Sequence, residues 1–148
     1  MRIAIASDHG GFELKEAMKN HYKNQGINLT DLGTHSTESC DYPLIAEKLT
    51  SALLKKEFDL GILICGTGIG ISIAANRVKG IRAALLYNRD AARLAREHNN
   101  ANVAVFGGRT QTPEQAVEYF DTFLGASFEG GRHQRRIDEL DNLAEEKC

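Results

Sequence analysis

The sequence predicts an α/β domain: a three-layer α/β/α Rossmann-like fold around a five-stranded parallel sheet, in strand order 2-1-3-4-5. Three observations lead there. Short apolar runs alternate with helix-period segments along the chain, the pattern of βαβ units. The runs are nearly continuous in apolar residues, as strands buried on both faces require. One stretch, residues 59–77 (DLGILICGTGIGISIAANR), joins such a run to a helix through Gly66, Gly68 and Gly70 at alternate positions. The 148 residues make one domain, 1–148, long enough to bury roughly 70% of its unfolded surface without a disulfide or metal staple.

Residues 1–7 (MRIAIAS) read as a buried strand, ended by the turn Asp8-His9-Gly10-Gly11. A helix follows over 12–25, with Phe12, Leu14, Ala17, Met18 and Tyr22 at its apolar positions and Gly26 closing it. Residues 27–32 form the second strand, stopped by Gly33, and 34–41 a polar loop. Tyr42-Pro43 opens a helix over 44–56, since proline suits a first helical turn. The third strand is 60–64. Its helix begins at Ile71, sets Ile71, Ala74, Ala75 and Val78 on one face, and closes at Gly80. Strands four and five are 81–86 and 101–106, joined by a helix over 88–98. Thr112-Pro113-Glu114 starts a helix to about 124, and the last helix spans 132–146.

A net charge of −2 gives no nucleic-acid footprint. No apolar run reaches the ~20 residues of a membrane span. Neither nucleic acid nor membrane is therefore expected as a partner. The chain enters a strand at once, so no signal peptide is expected. Cys40, Cys65 and Cys148 have no metal-type spacing, and a reducing cytoplasm fits them.

A strand feeding a glycine turn feeding a helix builds an anion site: glycines let backbone N–H groups approach a ligand, and the first N–H groups of the helix lack internal partners. The stretch lacks the Lys-Ser/Thr pair of a P-loop and the spacing of a dinucleotide fingerprint. Such turns also serve packing alone, and a cysteine is often a small buried hydrophobe. In the expected strand order, a ligand sits at the carboxyl ends of strands one and three, which puts Asp8 and His9 beside Cys65 and the 66–70 turn. Asp8 and His9 read either as a helix cap with a surface imidazole, or as groups for proton transfer and phosphate contact. A helix N-terminus beside Cys65 favours a thiolate that acts as base or nucleophile. Thr67 adds a hydroxyl, and the N–H groups of Gly66 to Gly70 could hold an oxyanion.

His98 and Asn99 end a helix that runs back to the amino edge of the sheet. A five- or six-residue strand spans ~17–20 Å, so a catalytic His98 would reach Cys65 only from a second subunit. A helix-end histidine also satisfies the helix dipole by itself. Arg132 and Arg136, i,i+4 neighbours, are spaced to clamp one phosphate or to pair with acidic residues later in the chain. Together these features suggest a phosphorylated substrate and proton transfer, with no redox cofactor or metal cluster evident.

The motifs SDHGGFELK (7–15), DLGTHSTESCDYP (31–43), ICGTGIGISIAAN (64–76), GIRAA (80–84), REHNNANV (96–103) and EGGRHQRRI (129–137) resemble, in order and over nearly the whole chain, type B ribose-5-phosphate isomerase. The wider family includes galactose- and allose-6-phosphate isomerases. The resemblance implies an aldose–ketose isomerase of the pentose phosphate pathway that needs neither metal nor cofactor and works through an enediolate. Cys65 matches the base that moves a proton between C2 and C1, His98 the acid that opens the furanose ring, and Thr67 a hydroxyl that assists. Gly66, Gly68, Ile69 and Gly70 match the anion hole, and Asp8 a residue handling hydroxyl protons. His9, Arg132 and Arg136 match phosphate contacts, Asn99 and Arg109 further substrate contacts, and Tyr42 a site-lining tyrosine. The resemblance also implies homodimers, often paired, with sites shared between chains; the helix at 132–146 is expected to pack across a subunit interface. Ile71 stands where some members carry a basic-role glutamate, which makes this the cysteine type; Asn100 stands where many carry aspartate. Having both Cys65 and the arginine-rich tail favours a self-sufficient five-carbon enzyme. The alternatives are the same chemistry on a six-carbon sugar phosphate and a non-catalytic sugar-phosphate-binding module.

Overall fold

The computed structural model describes residues 1–143. The end of the helix expected over 132–146, and Cys148, lie outside the described residues. In chain order the elements are β1 (Ile3–Ser7), a single 3-10 turn (His9–Gly11), α1 (Phe12–Lys23), β2 (Leu29–Asp31), α2 (Tyr42–Leu54), β3 (Leu60–Cys65), α3 (Ile69–Asn76), β4 (Ala83–Leu85), α4 (Arg89–Glu97), β5 (Val103–Gly107), α5 (Pro113–Gly125) and α6 (Arg132–Asp141). Local chemistry sets several of these boundaries. The Asn88 side chain caps α4 by accepting from the Ala91 N–H. Thr112 and Gln115 form a reciprocal capping box on α5, with proline in its first turn. α3 starts at Ile69 rather than at Ile71, because Gly68 takes the left-handed conformation (φ 81°) and turns the chain into the helix at once.

The strands pair in parallel throughout. Their order is β2-β1-β3-β5-β4, not the 2-1-3-4-5 expected from the sequence. Crossover handedness explains the correction. Right-handed crossovers tie the direction of each step along the sheet to the face its helix covers. α2 and α3 accompany steps in one direction and share a core made by Ala46, Leu49, Leu53, Ile71 and Ala75. α4 buries Ala92 and Ala95 in the opposite core, with Leu14, Met18 and Tyr22 of α1 and Phe120 and Phe123 of α5. A helix on that face must accompany a step back inward, so β4 is laid down at the edge first and β5 returns to fill the place beside β3. Burial agrees: β5 is fully buried, whereas the three residues of β4 are half-buried, as suits an edge.

One buried cation ties the β2 side together. Lys15 of α1 is wholly inaccessible, and its Nζ donates to both carboxylate oxygens of Asp31 (2.8 Å each) and to the Thr34 carbonyl. Lys19 adds a second ammonium on Asp31 (2.7 Å), and the Gly33 N–H a third donor direction (2.8 Å). Burial pushes the Asp31 carboxyl up, but the Lys15 and Lys19 bonds and the Gly33 N–H outweigh it and hold it down at about 2. No helix among the described residues is long and apolar enough to cross a membrane.

The Asp31 carboxyl titrates lower in the fold than at the ~3.9 of an unfolded chain, so its stabilisation is complete above about pH 4 and is lost as pH falls toward 2. Asp31→Asn, which strands the Lys15 ammonium, should lower unfolding free energy at pH 7 by on the order of 3–5 kcal/mol. It should also flatten the loss of stability between pH 4 and 2 in denaturant titrations. An unchanged acid slope would contradict the assignment.

Candidate active site

β3 is the one strand of the central three whose following helix leaves on its own face. β1 and β5, which flank it, both send their helices to the other face, so the end of β3 stands in a cleft on both sides. Cys65 is the last residue of β3. Backbone hydrogen bonds stitch the three strand ends together there: Asp8 N–H to the Ile64 carbonyl (3.1 Å), Gly108 N–H to the Cys65 carbonyl (2.8 Å) and Arg109 N–H to the Gly66 carbonyl (2.9 Å). The loops lie backbone against backbone. A Cβ on Gly108 would come within 2.5 Å of the Gly10 carbonyl oxygen, and one on Gly10 within 3.1 Å of the Gly66 nitrogen.

The buried Cys65 Sγ accepts from the Gly68 N–H at 3.2 Å. Thr67 Oγ1 accepts from the Ile69 N–H at 3.2 Å. Gly70 and Ile71 complete the first turn of α3, where N–H groups have no carbonyl one turn back. The loop thus presents a sulfur, a hydroxyl and a helix N-terminus on one small surface. Gly68 is indispensable to it. Its left-handed backbone disfavours any side chain, and a Cβ would stand 2.6 Å from Leu85 Cδ1 and 3.0 Å from the Phe106 carbonyl oxygen. The Arg109 guanidinium lies against Gly66, where a Cβ would be 2.9 Å from its Nη1, and the Tyr42 ring lies against Gly70.

Asp8 takes the capping role: its Oδ1 accepts from the Gly10 (2.9 Å) and Gly11 (3.2 Å) N–H groups, and its side chain is buried. His9 Nδ1 accepts from the Cys40 N–H (3.2 Å), so in the neutral ring the proton sits on Nε2 and that edge is a donor. Of the residues singled out from sequence, Asp8, His9, Tyr42, Cys65, Gly66, Thr67, Gly68, Ile69, Gly70 and Arg109 therefore converge at the carboxyl end of the sheet.

His98, Asn99, Arg132 and Arg136 do not join them. His98 follows α4, five residues before β5 begins, and β5 then runs about 16 Å to reach the level of Cys65. The Asn99 carbonyl accepts from Arg82 Nε (3.0 Å). At that amino end the His98 ring stacks on His133 of α6, centroids 4.1 Å apart, and both imidazoles have Nε2 close to Glu129 Oε1, at 3.6 and 3.5 Å. Arg132 and Arg136 flank His133 on α6, close enough to oppose its protonation. The sequence reading passed over Glu129, the His98–His133 stack, the Cys40 amide and Lys15. Lys15 had a signal: it shares the buried register of Met18 and Tyr22 on α1. The others depend on contacts between distant segments.

A family model described as Ribose/Galactose Isomerase matches residues 3–140. The chain belongs to that family. Several of its relatives are named ribose-5-phosphate isomerase B. Ribose-5-phosphate isomerase B of Escherichia coli K12 is 46% identical over 94% of this chain and 93% of its own length. The crystal structure of a ribose 5-phosphate isomerase from Thermotoga maritima is 56% identical, covers 95% of this chain and 97% of its own, and superposes with a TM-score of 0.93. Ribose-5-phosphate isomerase B of Mycoplasma genitalium, solved with bound ribulose-5-phosphate, is 45% identical, covers 99% of this chain and 97% of its own, with a TM-score of 0.85. These family members share the whole domain, so the cleft at Cys65 and the cluster at His98 are both parts of one isomerase fold.

Gly68→Ala should lower stability by about 2 kcal/mol or more, from left-handed strain plus the clash with Leu85 and Phe106. Thermal unfolding measures it. A shift no larger than that of an Ala substitution at Gly125, whose Cβ would meet open space, would contradict the packing argument.

Proposed function

We propose that this chain interconverts D-ribose 5-phosphate and D-ribulose 5-phosphate through an enediolate, with Cys65 as the base. The observation that carries this reading is the Cys65 sulfur held by the Gly68 N–H at the mouth of the α3 N-terminus. A thiolate there removes the C2 proton and returns it to C1, while the N–H groups of the 66–70 turn hold the negative charge that develops on the two oxygens. Thr67 passes the hydroxyl proton, and Asp8, capped through Oδ1, offers its other oxygen to sugar hydroxyls. His9 donates Nε2–H to the phosphate, Arg109 and Tyr42 line the sugar, and the process runs in the cytoplasm. The names of the relatives, and the ribulose-5-phosphate held by the Mycoplasma genitalium protein, support the five-carbon substrate.

His98 acts as the ring-opening acid, and Arg132, Arg136 and Asn99 complete the substrate contacts, from a second copy of the chain. Sheet polarity separates the two residue sets within one chain, which supports a homodimer, alone or paired, with sites built at the interface. A groove of about 770 Å³ that does not contain Cys65 runs along the β4 edge between Asn76, Tyr87, Asn99 and Leu143. Tyr87, Leu140 and Leu143 line it and are exposed, an apolar face suited to a partner chain onto which α6 packs.

Purified protein, assayed with EDTA present, should turn over ribose 5-phosphate in strong preference to allose 6-phosphate and galactose 6-phosphate. A six-carbon preference would reassign the substrate; no turnover would leave a binding module. Cys65→Ala should lose at least about a hundred-fold in C2 proton exchange while still binding substrate. Co-refolding equal amounts of Cys65→Ala and His98→Asn chains should recover about a quarter of the wild-type sites, since each mixed dimer carries one intact site. No recovery would overturn the shared site.

A further inference from the structure

The amino-end cluster contains more than the acid. His133 is 7% exposed in its side chain, and its Nε2 is a fully buried ring nitrogen without a hydrogen-bond partner. It points to Glu129 Oε1 at 3.5 Å, and that same oxygen lies 3.6 Å from His98 Nε2. The two rings lie face to face, 14° from parallel. The Glu129 N–H donates to the Glu97 carbonyl (2.9 Å), which fixes the loop carrying the carboxylate against the end of α4.

Three donors within 4.8 Å of one another also have the spacing of a metal site. The stack argues against that use. A metal binds imidazole in the ring plane, and two parallel rings one above the other share no point that lies in both planes. A proton needs no such point. Burial, then the neighbouring His98 and Arg132 charges and Arg136, hold His133 below the usual histidine range against the pull of Glu129. Glu97 is occupied by Arg93 (2.6 Å).

Resting on the isomerase reading above, we propose that Glu129 is the positioning residue of the ring-opening acid: its carboxylate holds the Nε2–H edge of His98, His133 stacked on the ring fixes its plane, and Nδ1 is thereby presented to the sugar. Ring opening breaks the bond between C1 and the ring oxygen: the imidazolium form of His98 delivers its Nδ1 proton to that oxygen, the anomeric hydroxyl gives its proton to water as C1 becomes a carbonyl, and the ring is left in the neutral Nε2–H form that Glu129 holds. A carboxylate that fixes one nitrogen so that the other does the chemistry follows triad logic.

Two measurements on the wild-type protein and on Glu129→Gln test this. Ribose 5-phosphate is cyclic, whereas ribulose 5-phosphate cannot close a furanose because its 5-hydroxyl is phosphorylated. Glu129→Gln should lower kcat on ribose 5-phosphate at least about ten-fold, with KM nearly unchanged. Exchange of the C1 proton of ribulose 5-phosphate with solvent should stay within about two-fold of wild type, about 0.4 kcal/mol. For the neutral His98 ring, nitrogen-15 NMR should show the proton on Nε2 in the wild-type protein and a mixture of tautomers in the variant, with partial return in Glu129→Asp. Equal losses on both substrates, or an unchanged tautomer, would overturn the proposal. Absence of exchange in the wild-type protein would overturn the isomerase reading instead, and the NMR comparison would still decide whether Glu129 sets the tautomer.

Discussion

All five strands run the same way, and this polarity governs the rest of the molecule. A parallel sheet has two chemically different ends. Every strand-to-helix loop gathers at one, where helix N-termini point their N–H groups, and every helix-to-strand loop gathers at the other. The thiol, the hydroxyl and the N–H cradle stand at the first end; the stacked imidazoles, Glu129 and the two arginines stand at the second. Anion binding at the first end follows from backbone dipoles, and the second end supplies charge only through side chains. A reaction that needs both must bring two such ends together, which a single copy of this sheet does not do.

The position of β5 decides what Cys65 meets. Had β4 lain beside β3, the 108–109 loop would have been one strand further away, and Arg109 could not reach Gly66. Because α4 buries Ala92 and Ala95 on the α1 and α5 face, β5 returns to the centre and its loop hydrogen-bonds to Cys65 and Gly66. The close approach of these loops then requires glycine where a Cβ would meet backbone, at Gly10 and Gly108 as well as in the 66–70 turn. Lys15 performs a related service on the other flank. Through Asp31 and the Thr34 carbonyl it anchors the start of the loop that carries Cys40, whose N–H sets the His9 tautomer. A buried ammonium without those acceptors would be too costly to keep, so the β2 side and the His9 ring are held by the same cation.

Asp8 shows how a cap can leave a second role open. The sequence offered it as a cap or as a catalytic carboxylate. The structure assigns Oδ1 to the cap, and because a carboxylate has two oxygens the cap positions the second one rather than consuming the group.

Apolar period and turn chemistry are local properties of the chain, so its amino acids carry the α/β class, the number of strands, the glycine turn after Cys65, and which residues stand at which end of the sheet. It also carried the family, through motifs spread over nearly its whole length. Tertiary structure alone decided the place of β5, the contact of Arg109 with Gly66, the Lys15–Asp31 network, and the meeting of His98, Glu129 and His133. Each of these joins segments far apart in sequence. Glu129 and His133 look from the sequence like any i,i+4 acid and histidine beside an arginine pair; only the packing of α6 against the end of α4 turns them toward His98. The reason is physical: a local pattern fixes the direction a side chain takes from its own helix or strand, and the neighbour it finds there is set by how right-handed crossovers stack the elements.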